Sequence, residues 1–132
     1  MKKIGFILLA LVLSTSFIVA QNGKKAPKAV FTKEVHDFGK IEESVGTVTT
    51  EFTFKNEGNA PLLLQRVQAS CGCTTPQYTN EPVLPGKTGT IKVTYSTVGR
   101  VGTFNKEVTV FTNVPDTIYK LQIKGEVLRS KK

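Results

Sequence analysis

Strict alternation of apolar and polar side chains over one segment most limits how this chain can fold. Between residues 47 and 56, Val48, Thr50, Phe52 and Phe54 fall on one side, and threonine, glutamate and lysine fall on the other. Side chains alternate between two faces in a β-strand, and β-branched and aromatic residues are enriched there. The segment therefore predicts a strand with one buried face.

Similar short segments recur along the chain between turn-forming residues, and none has a sustained helical period. About seven short strands separated by turn signals are typical of an antiparallel β-sandwich. The fold class predicted is all-β, an immunoglobulin-like antiparallel β-sandwich preceded by a signal peptide. The expected strands lie near 36–41, 47–56, 61–69, 74–78, 88–94, 103–113 and 118–127, with 29–32 as a further short candidate.

The core of a sandwich is built from inward side chains of both sheets. The leucine run at 62–64 is compatible with a helix, but Pro61 and the nearby glycines favour a strand in which Leu63, Val67 and Ala69 share a face. The expected core consists of Phe52, Phe54, Leu63, Ile91, Val93, Phe104, Val108, Leu121 and Ile123.

Residues 1–20 have the organisation of a secretory signal peptide. Lys2 and Lys3 precede an apolar run, and Ala20 is small enough for the cleavage position. The apolar run is shorter than the roughly 20 residues of a spanning helix, so we expect no stable membrane span after cleavage. The remaining chain is expected to comprise a flexible linker over 21–28, the immunoglobulin-like domain over 29–128 and a basic tail over 129–132.

The net charge of +8 is concentrated at the ends of the chain. Between residues 29 and 128 there are ten Lys or Arg and ten Asp or Glu. A nucleic-acid-binding protein usually carries a basic stripe on its folded face. The distribution therefore argues against nucleic acid as a partner.

The two cysteines, Cys71 and Cys73, form a CxC motif around Gly72. In an extended strand their Cα atoms lie near the ~6.8 Å upper limit for a disulfide, and glycine relaxes that constraint. Three states remain open: a strained and easily reduced Cys71–Cys73 disulfide, a thiolate pair for a soft metal such as Cu(I), or two packing side chains or a static crosslink.

A zinc site with four protein ligands would need two ligands beyond the cysteines, and His36 is the only histidine of the chain. Beside Asp37, His36 is expected to be a surface or hydrogen-bonded residue. It becomes a candidate third metal ligand only if the fold brings it near Cys71.

Catalytic motifs find little support in this sequence. The chain contains no Gly-x-Ser-x-Gly elbow and no glycine-rich phosphate loop. The segment 98–102 around Arg100 is a glycine-bounded connection, and such loops of sandwiches sometimes bind ligands. We therefore expect no enzymatic activity, no catalytic residues and no cofactor.

Short motifs follow one another in a fixed order along the chain. They are His36-Asp37-Phe38-Gly39-Lys40-Ile41, Phe52-Thr53-Phe54-Lys55-Asn56-Glu57-Gly58, Pro61-Leu62, Ser70-Cys71-Gly72-Cys73-Thr74, Pro85-Gly86, Ile91-Lys92-Val93-Thr94-Tyr95, Gly102-Thr103-Phe104 and Gly125-Glu126-Val127. This set resembles a family of secreted bacterial proteins catalogued as domain of unknown function 1573, which looks like a relative of the hydin-type immunoglobulin-like domains. The resemblance implies a β-sandwich and export to the envelope of Gram-negative bacteria, in the periplasm or outside the cell, and it implies no established activity.

The function expected from the sequence is that of a non-enzymatic, exported envelope protein, a single immunoglobulin-like interaction or assembly module with an unidentified envelope protein as partner. The alternative is a thiol-based protein that exchanges disulfides or binds Cu(I) through Cys71 and Cys73.

Overall fold

The computed structural model describes residues 25–131, so the expected signal peptide at 1–20 lies outside the described residues. Within them the chain forms eight strands and one three-residue 3-10 turn at Glu43–Val45. The strands are β1 (Ala29–Phe31), β2 (Val35–Glu42), β3 (Thr47–Asn56), β4 (Leu64–Ala69), β5 (Thr74–Tyr78), β6 (Thr88–Ser96), β7 (Gly102–Thr112) and β8 (Ile118–Leu128).

The strands form two sheets of four, which we call sheet A and sheet B. Sheet A has the order β1-β3-β6-β5, and sheet B has the order β2-β8-β7-β4. Large apolar side chains from both sheets are fully buried, among them Phe52 and Ile91 of sheet A and Val108 and Leu121 of sheet B. The predicted all-β sandwich is confirmed.

One pair of strands departs from a wholly antiparallel arrangement. Strand β1 pairs with β3 in sheet A in the antiparallel direction. The next strand, β2, lies at the edge of sheet B and runs parallel to β8. Pairing shifts between Asp37 and Lys40, where Gly39 has a φ of 70° and donates its N–H to Oδ1 of Asp37 at 2.8 Å. Because the first part of the chain serves both sheets, it forms two strands, and the total is eight.

The predicted core is confirmed at every position except Leu63. Leu63 is half-buried, while Leu62 and Leu64 are buried at 0% and 4% exposure. The register of β4 against β7 shifts between Leu64 and Arg66. This irregularity places Leu64 and Val67 on the core side although they are three residues apart, which simple alternation does not anticipate.

Asn56 closes β3 as a fully buried polar residue. Its Nδ2 donates to the carbonyl oxygens of Ala60 at 2.7 Å and Val83 at 2.8 Å. Its Oδ1 accepts the N–H of Gly58 at 3.0 Å and that of Lys28 at 3.3 Å. One side chain therefore satisfies backbone groups from three separate segments.

The described part of the expected linker is hydrogen-bonded to the folded domain. Two hydrogen bonds join Ala26 to Asn59. The Ala26 N–H donates to Oδ1 of Asn59 at 2.8 Å, and the Asn59 N–H donates to the Ala26 oxygen at 3.0 Å. The N–H of Glu57 donates to the Lys28 oxygen at 2.8 Å. Residues 26 and 28 of the expected linker are therefore held against the turn after β3.

The fold places the cysteines where the chain passes from one sheet to the other. Strand β4 ends at the edge of sheet B, and β5 begins at the edge of sheet A. No helix within residues 25–131 has the length and apolar character required to cross a membrane.

Candidate functional site

Cys71 and Cys73 are joined in a disulfide with a Cα–Cα distance of 5.3 Å. The backbone on either side is fixed to a different sheet. The Ser70 N–H donates to the Glu107 oxygen in β7 at 3.0 Å, and the Cys73 oxygen accepts the Ser96 N–H in β6 at 2.9 Å. The bridge therefore lies in a connection that is anchored at both ends.

The two sulfur-bearing residues differ in exposure. Cys73 belongs to the buried core at 4% exposure, whereas Cys71 is half-buried and packs against that core. The bridge thus presents one residue to solvent and holds the other inside the sandwich.

Gly72, between the cysteines, is exposed and lies outside the left-handed backbone region. A Cβ added there would meet no atom within 4 Å beyond its two chain neighbours. The sequence suggested that glycine lets the chain bend into a conformation other residues avoid. In the structure, neither the φ angle nor contacts outside the bridge require glycine at this position.

Two hydrogen-bond donors lie near the sulfur atoms. The backbone N–H of Cys73 donates to Sγ of Cys71 at 3.3 Å. The buried Thr74 hydroxyl lies 3.7 Å from Sγ of Cys73 and 3.9 Å from Sγ of Cys71. Since disulfide sulfurs carry no proton, the hydroxyl is the only possible donor in those two contacts. Sequence reasoning missed Thr74, although its position directly after the CxC motif was a usable signal.

Three segments meet at the end of the sandwich next to Cys73, and we call them the loop end: residues 43–46, 97–101 and 128–130. The Thr97 N–H donates to the Gly46 oxygen at 2.9 Å, and the Ser44 N–H donates to Oγ of Ser130 at 2.8 Å. Ser96, which bonds Cys73, immediately precedes the second segment. One hydrogen bond from the residue that precedes the loop end therefore reaches the bridge.

The loop end carries a concentration of exposed apolar side chains. Gly102 pairs with Val127, which places Val101 across from Leu128, while Val45 and Val98 flank the Gly46–Thr97 hydrogen bond. The exposed fractions are 57% for Val45, 65% for Val98, 48% for Val101 and 37% for Leu128. The sequence indicated at 98–102 a connection of the kind that sometimes binds ligands, but periodicity cannot show which loop residues of separate segments converge.

An aromatic stack supports the loop end from within. The rings of Tyr95 and Phe104 lie 4.0 Å apart and nearly parallel, with one ring from each sheet. Burial raises the pKa of the Tyr95 phenol above its ordinary value of 10.0, and the charge of nearby Arg100 partly opposes this rise. Tyr95 therefore remains a neutral packing residue at physiological pH.

His36 is not brought near the cysteines. It lies in β2, and the cysteines follow β4, at the opposite edge of sheet B. Its Nδ1 is 2.7 Å from Nζ of Lys33, and partial burial and the Lys33 charge lower its pKa from 6.5, against a smaller opposing effect of Asp37. The condition for His36 to act as a third metal ligand is not met.

Metal binding at the cysteines would require a different redox state. Both sulfur atoms are bonded to each other here, and no group of three or more His, Cys, Asp or Glu side chains within residues 25–131 is arranged to hold a metal ion. Cu(I) binding at Cys71 and Cys73 therefore remains a prediction for the reduced protein.

Solved structures with the same fold come from proteins of varied kinds. A protein of unknown function from Porphyromonas gingivalis W83 is similar at 15% identity and TM-score 0.68, over 77% of this chain and 47% of that chain. The secreted serine protease VesC from Vibrio cholerae is similar at 12% identity and TM-score 0.58, over 83% of this chain and 24% of that chain. The YadV chaperone is similar at 17% identity and TM-score 0.51, over 78% of this chain and 52% of that chain.

This chain thus spans about half or less of each of those proteins. At such identities the likeness shows the fold alone. No curated protein matches the sequence. The model of one family, described as a protein of unknown function (DUF1573), matches residues 29–127. Since that match covers nearly all of the sandwich and carries the CxC motif within it, the chain belongs to the DUF1573 family.

Proposed function

We propose that this protein is a non-enzymatic, exported module of the cell envelope that acts by binding another envelope protein through its loop end. The observation that supports the proposal is the gathering of Val45, Val98, Val101 and Leu128 at one end of the sandwich, each at least 37% exposed. Exposed apolar patches rimmed by polar residues are typical of protein interaction sites.

The loop end is held in place before any partner arrives. Thr97 is fully buried, and its hydroxyl donates to the Glu43 oxygen at 3.0 Å. Oε1 of Glu43 accepts the N–H of Gly99 at 2.9 Å. A surface that is already ordered loses less conformational entropy on binding.

The charged groups around these side chains provide a polar rim. Arg100 and Arg129 are exposed, and Glu43 is half-buried, within the same three segments as the apolar residues. Full burial of one valine or leucine side chain contributes on the order of 1.5 kcal/mol to association before the costs of binding. Since the four side chains are already partly buried and association carries its own costs, they supply the apolar centre of the contact and only part of its affinity.

The proposal is tested by photo-crosslinking in producing cells. A photoreactive amino acid replaces Val98 in one variant and Leu84 in a matched control, since Leu84 is 55% exposed outside the loop end. We expect a crosslinked protein of defined mass from position 98 and none from position 84. Adding Val101→Asp to the position-98 variant should abolish its crosslink. Equal adducts from both positions, or turnover of a substrate lost on one point substitution, would overturn the proposal.

A thiol-based role is the second candidate, favoured by the half-exposed position of Cys71 in the bridge. A thiol titration of the folded protein, with and without prior reduction, should differ by two thiols per chain. After reduction, one Cu(I) per chain should bind and be lost in Cys71→Ser. A bridge that resists reduction until the protein unfolds would remove both forms of this candidate.

A further inference from the structure

We infer that the Cys71–Cys73 bridge is a directional thiol–disulfide exchange site, in which an incoming thiolate attacks Cys71 and Cys73 leaves. The inference rests on the thiol-based candidate and assigns its substrate class, peptide or protein dithiols. It is motivated by the unequal surroundings of the two sulfurs.

Access selects the sulfur that is attacked. A thiolate must reach the disulfide along the line of the S–S bond, so the more accessible sulfur reacts faster. Cys73 is 4% exposed and lies in the core, whereas Cys71 is half-buried at the surface. Exposed Gly72 leaves the adjoining surface without a side chain.

The neighbouring donors favour the departure of each sulfur in turn. When Cys73 leaves, its negative charge is formed in a buried place, where an unpaired charge is costly. The Thr74 hydroxyl, 3.7 Å from that sulfur, is the donor within reach. When Cys71 leaves later, the Cys73 N–H, 3.3 Å from its sulfur, supplies the corresponding donor.

The reaction balances in two steps. The first substrate thiolate forms a bond with Sγ of Cys71, the Cys71–Cys73 bond breaks, and Cys73 leaves as a thiolate that takes a proton from water. The second substrate thiolate then attacks the substrate sulfur of the mixed disulfide, and Cys71 leaves as a thiolate that also takes a proton from water. The substrate dithiol loses two electrons and becomes a disulfide, and the bridge gains them and becomes two thiols.

A surface for the substrate adjoins the bridge. Val98 lies two residues after Ser96, whose N–H donates to the Cys73 oxygen at 2.9 Å. Because the loop-end segment that carries exposed Val98 begins next to this hydrogen bond, the preferred substrates are cysteine-bearing segments with apolar neighbours. Cysteine-bearing peptides that are entirely polar should react more slowly.

The first test measures direction. Folded oxidised protein is incubated with a reduced dithiol peptide, and the single-cysteine variants Cys73→Ser and Cys71→Ser are treated with glutathione disulfide. We expect one peptide disulfide to form for each bridge that is reduced. We also expect the glutathione adduct to form on Cys71 at a rate at least about tenfold higher than on Cys73. Intact mass reports both quantities, and circular dichroism confirms that each variant is folded.

The outcomes separate the two levels of the inference. A bridge that is inert in the folded protein removes the thiol-based candidate and this assignment together. Exchange that proceeds with equal or faster adduct formation on Cys73 leaves the thiol-based candidate standing and overturns the direction assigned here.

A second test examines Thr74 as a positioning residue. Thr74→Val keeps the shape of the side chain and removes the hydroxyl, so peptide oxidation should slow by roughly fivefold. Thr74→Ser restores the hydroxyl and should restore most of the rate. Equal rates in Thr74→Val and the wild-type protein, or failure of serine to rescue, would contradict the role of Thr74.

Discussion

At the scale of single residues, Asn56 is the polar side chain on which one end of the sandwich depends. Its four side-chain hydrogen bonds join the N-terminal segment, the turn after β3 and the strand-like residue Val83. Asn56→Ala leaves these backbone groups without their partner in a buried place. We expect a loss of about 3 kcal/mol in the free energy of unfolding, measured by urea denaturation.

The matched control for Asn56 is Asn80→Ala, because Asn80 is exposed. That variant should change the free energy of unfolding by no more than about 0.5 kcal/mol. Equal effects of the two substitutions would contradict the anchoring role of Asn56.

The disulfide should contribute little to global stability because it closes a very short loop. The chain-entropy relation gives about 1.6 kcal/mol for a loop of three residues, against about 3 kcal/mol for 15 residues. Cys71 and Cys73 are separated by two positions. Reduction of the native protein should therefore lower the free energy of unfolding by no more than about 2 kcal/mol. A loss above about 4 kcal/mol, seen by denaturation with and without reductant, would indicate a structural crosslink.

His36 should make stability weakly dependent on pH. Its pKa is lowered in the folded protein, so as the pH falls below about 6.5 the histidine of the unfolded chain is protonated before that of the folded chain. The free energy of unfolding therefore decreases as the pH falls from about 6.5 through the lower pKa of the folded state. The lysine contact to Nδ1 also requires the neutral ring. We expect the wild-type protein to lose more stability than His36→Asn between pH 7.5 and pH 5.5, measured by denaturation. A greater loss in the variant would contradict this account.

The candidate site was only partly predictable at the residue scale. The CxC motif is visible in the sequence because two cysteines around one glycine stand out from their surroundings. The role of Thr74 and the difference in exposure between the two cysteines depend on how β4 and β5 are anchored to separate sheets. Such long-range pairing leaves no local pattern.

At the scale of secondary structure, the pairing of β3 with β6 depends on a close contact between a glycine and an aromatic ring. Gly89 lies opposite Phe54, and an added Cβ would overlap the Phe54 ring. Gly89→Ala should therefore destabilise the protein by about 1–3 kcal/mol through overpacking, as measured by thermal or urea denaturation. The control is Thr90→Ala on the exposed side of β6, which should cost less than about 1 kcal/mol. A neutral Gly89→Ala variant would contradict the packing described.

The strands themselves were largely predictable, and the exceptions have physical causes. Alternation correctly located β3, β6, β7 and β8, since their inward residues follow period two. It failed in β4, where the irregular register exchanges the faces of Leu63 and Leu64. It also could not reveal that β2 pairs in parallel with β8, because strand direction within a sheet is a property of topology.

At the scale of the whole molecule, the two ends of the sandwich carry different features. One end is closed by Asn56 and the hydrogen-bonded N-terminal segment. The loop end carries four exposed apolar side chains and adjoins the disulfide. The proposed partner contact and the proposed exchange chemistry are therefore linked through one hydrogen bond, from the Ser96 N–H before the 97–101 segment to the Cys73 oxygen.

The measurement that tests this account most directly is the native size of the protein extracted from the envelope of producing cells, determined by size-exclusion chromatography with light scattering. The account predicts that the wild-type protein elutes in a complex and that Val98→Asp/Val101→Asp elutes as the free chain. The matched control Leu84→Asp/Ile118→Asp, which alters exposed residues outside the loop end, should keep the complex. Identical elution of all three proteins, or loss of the complex only in the control, would contradict binding through the loop end.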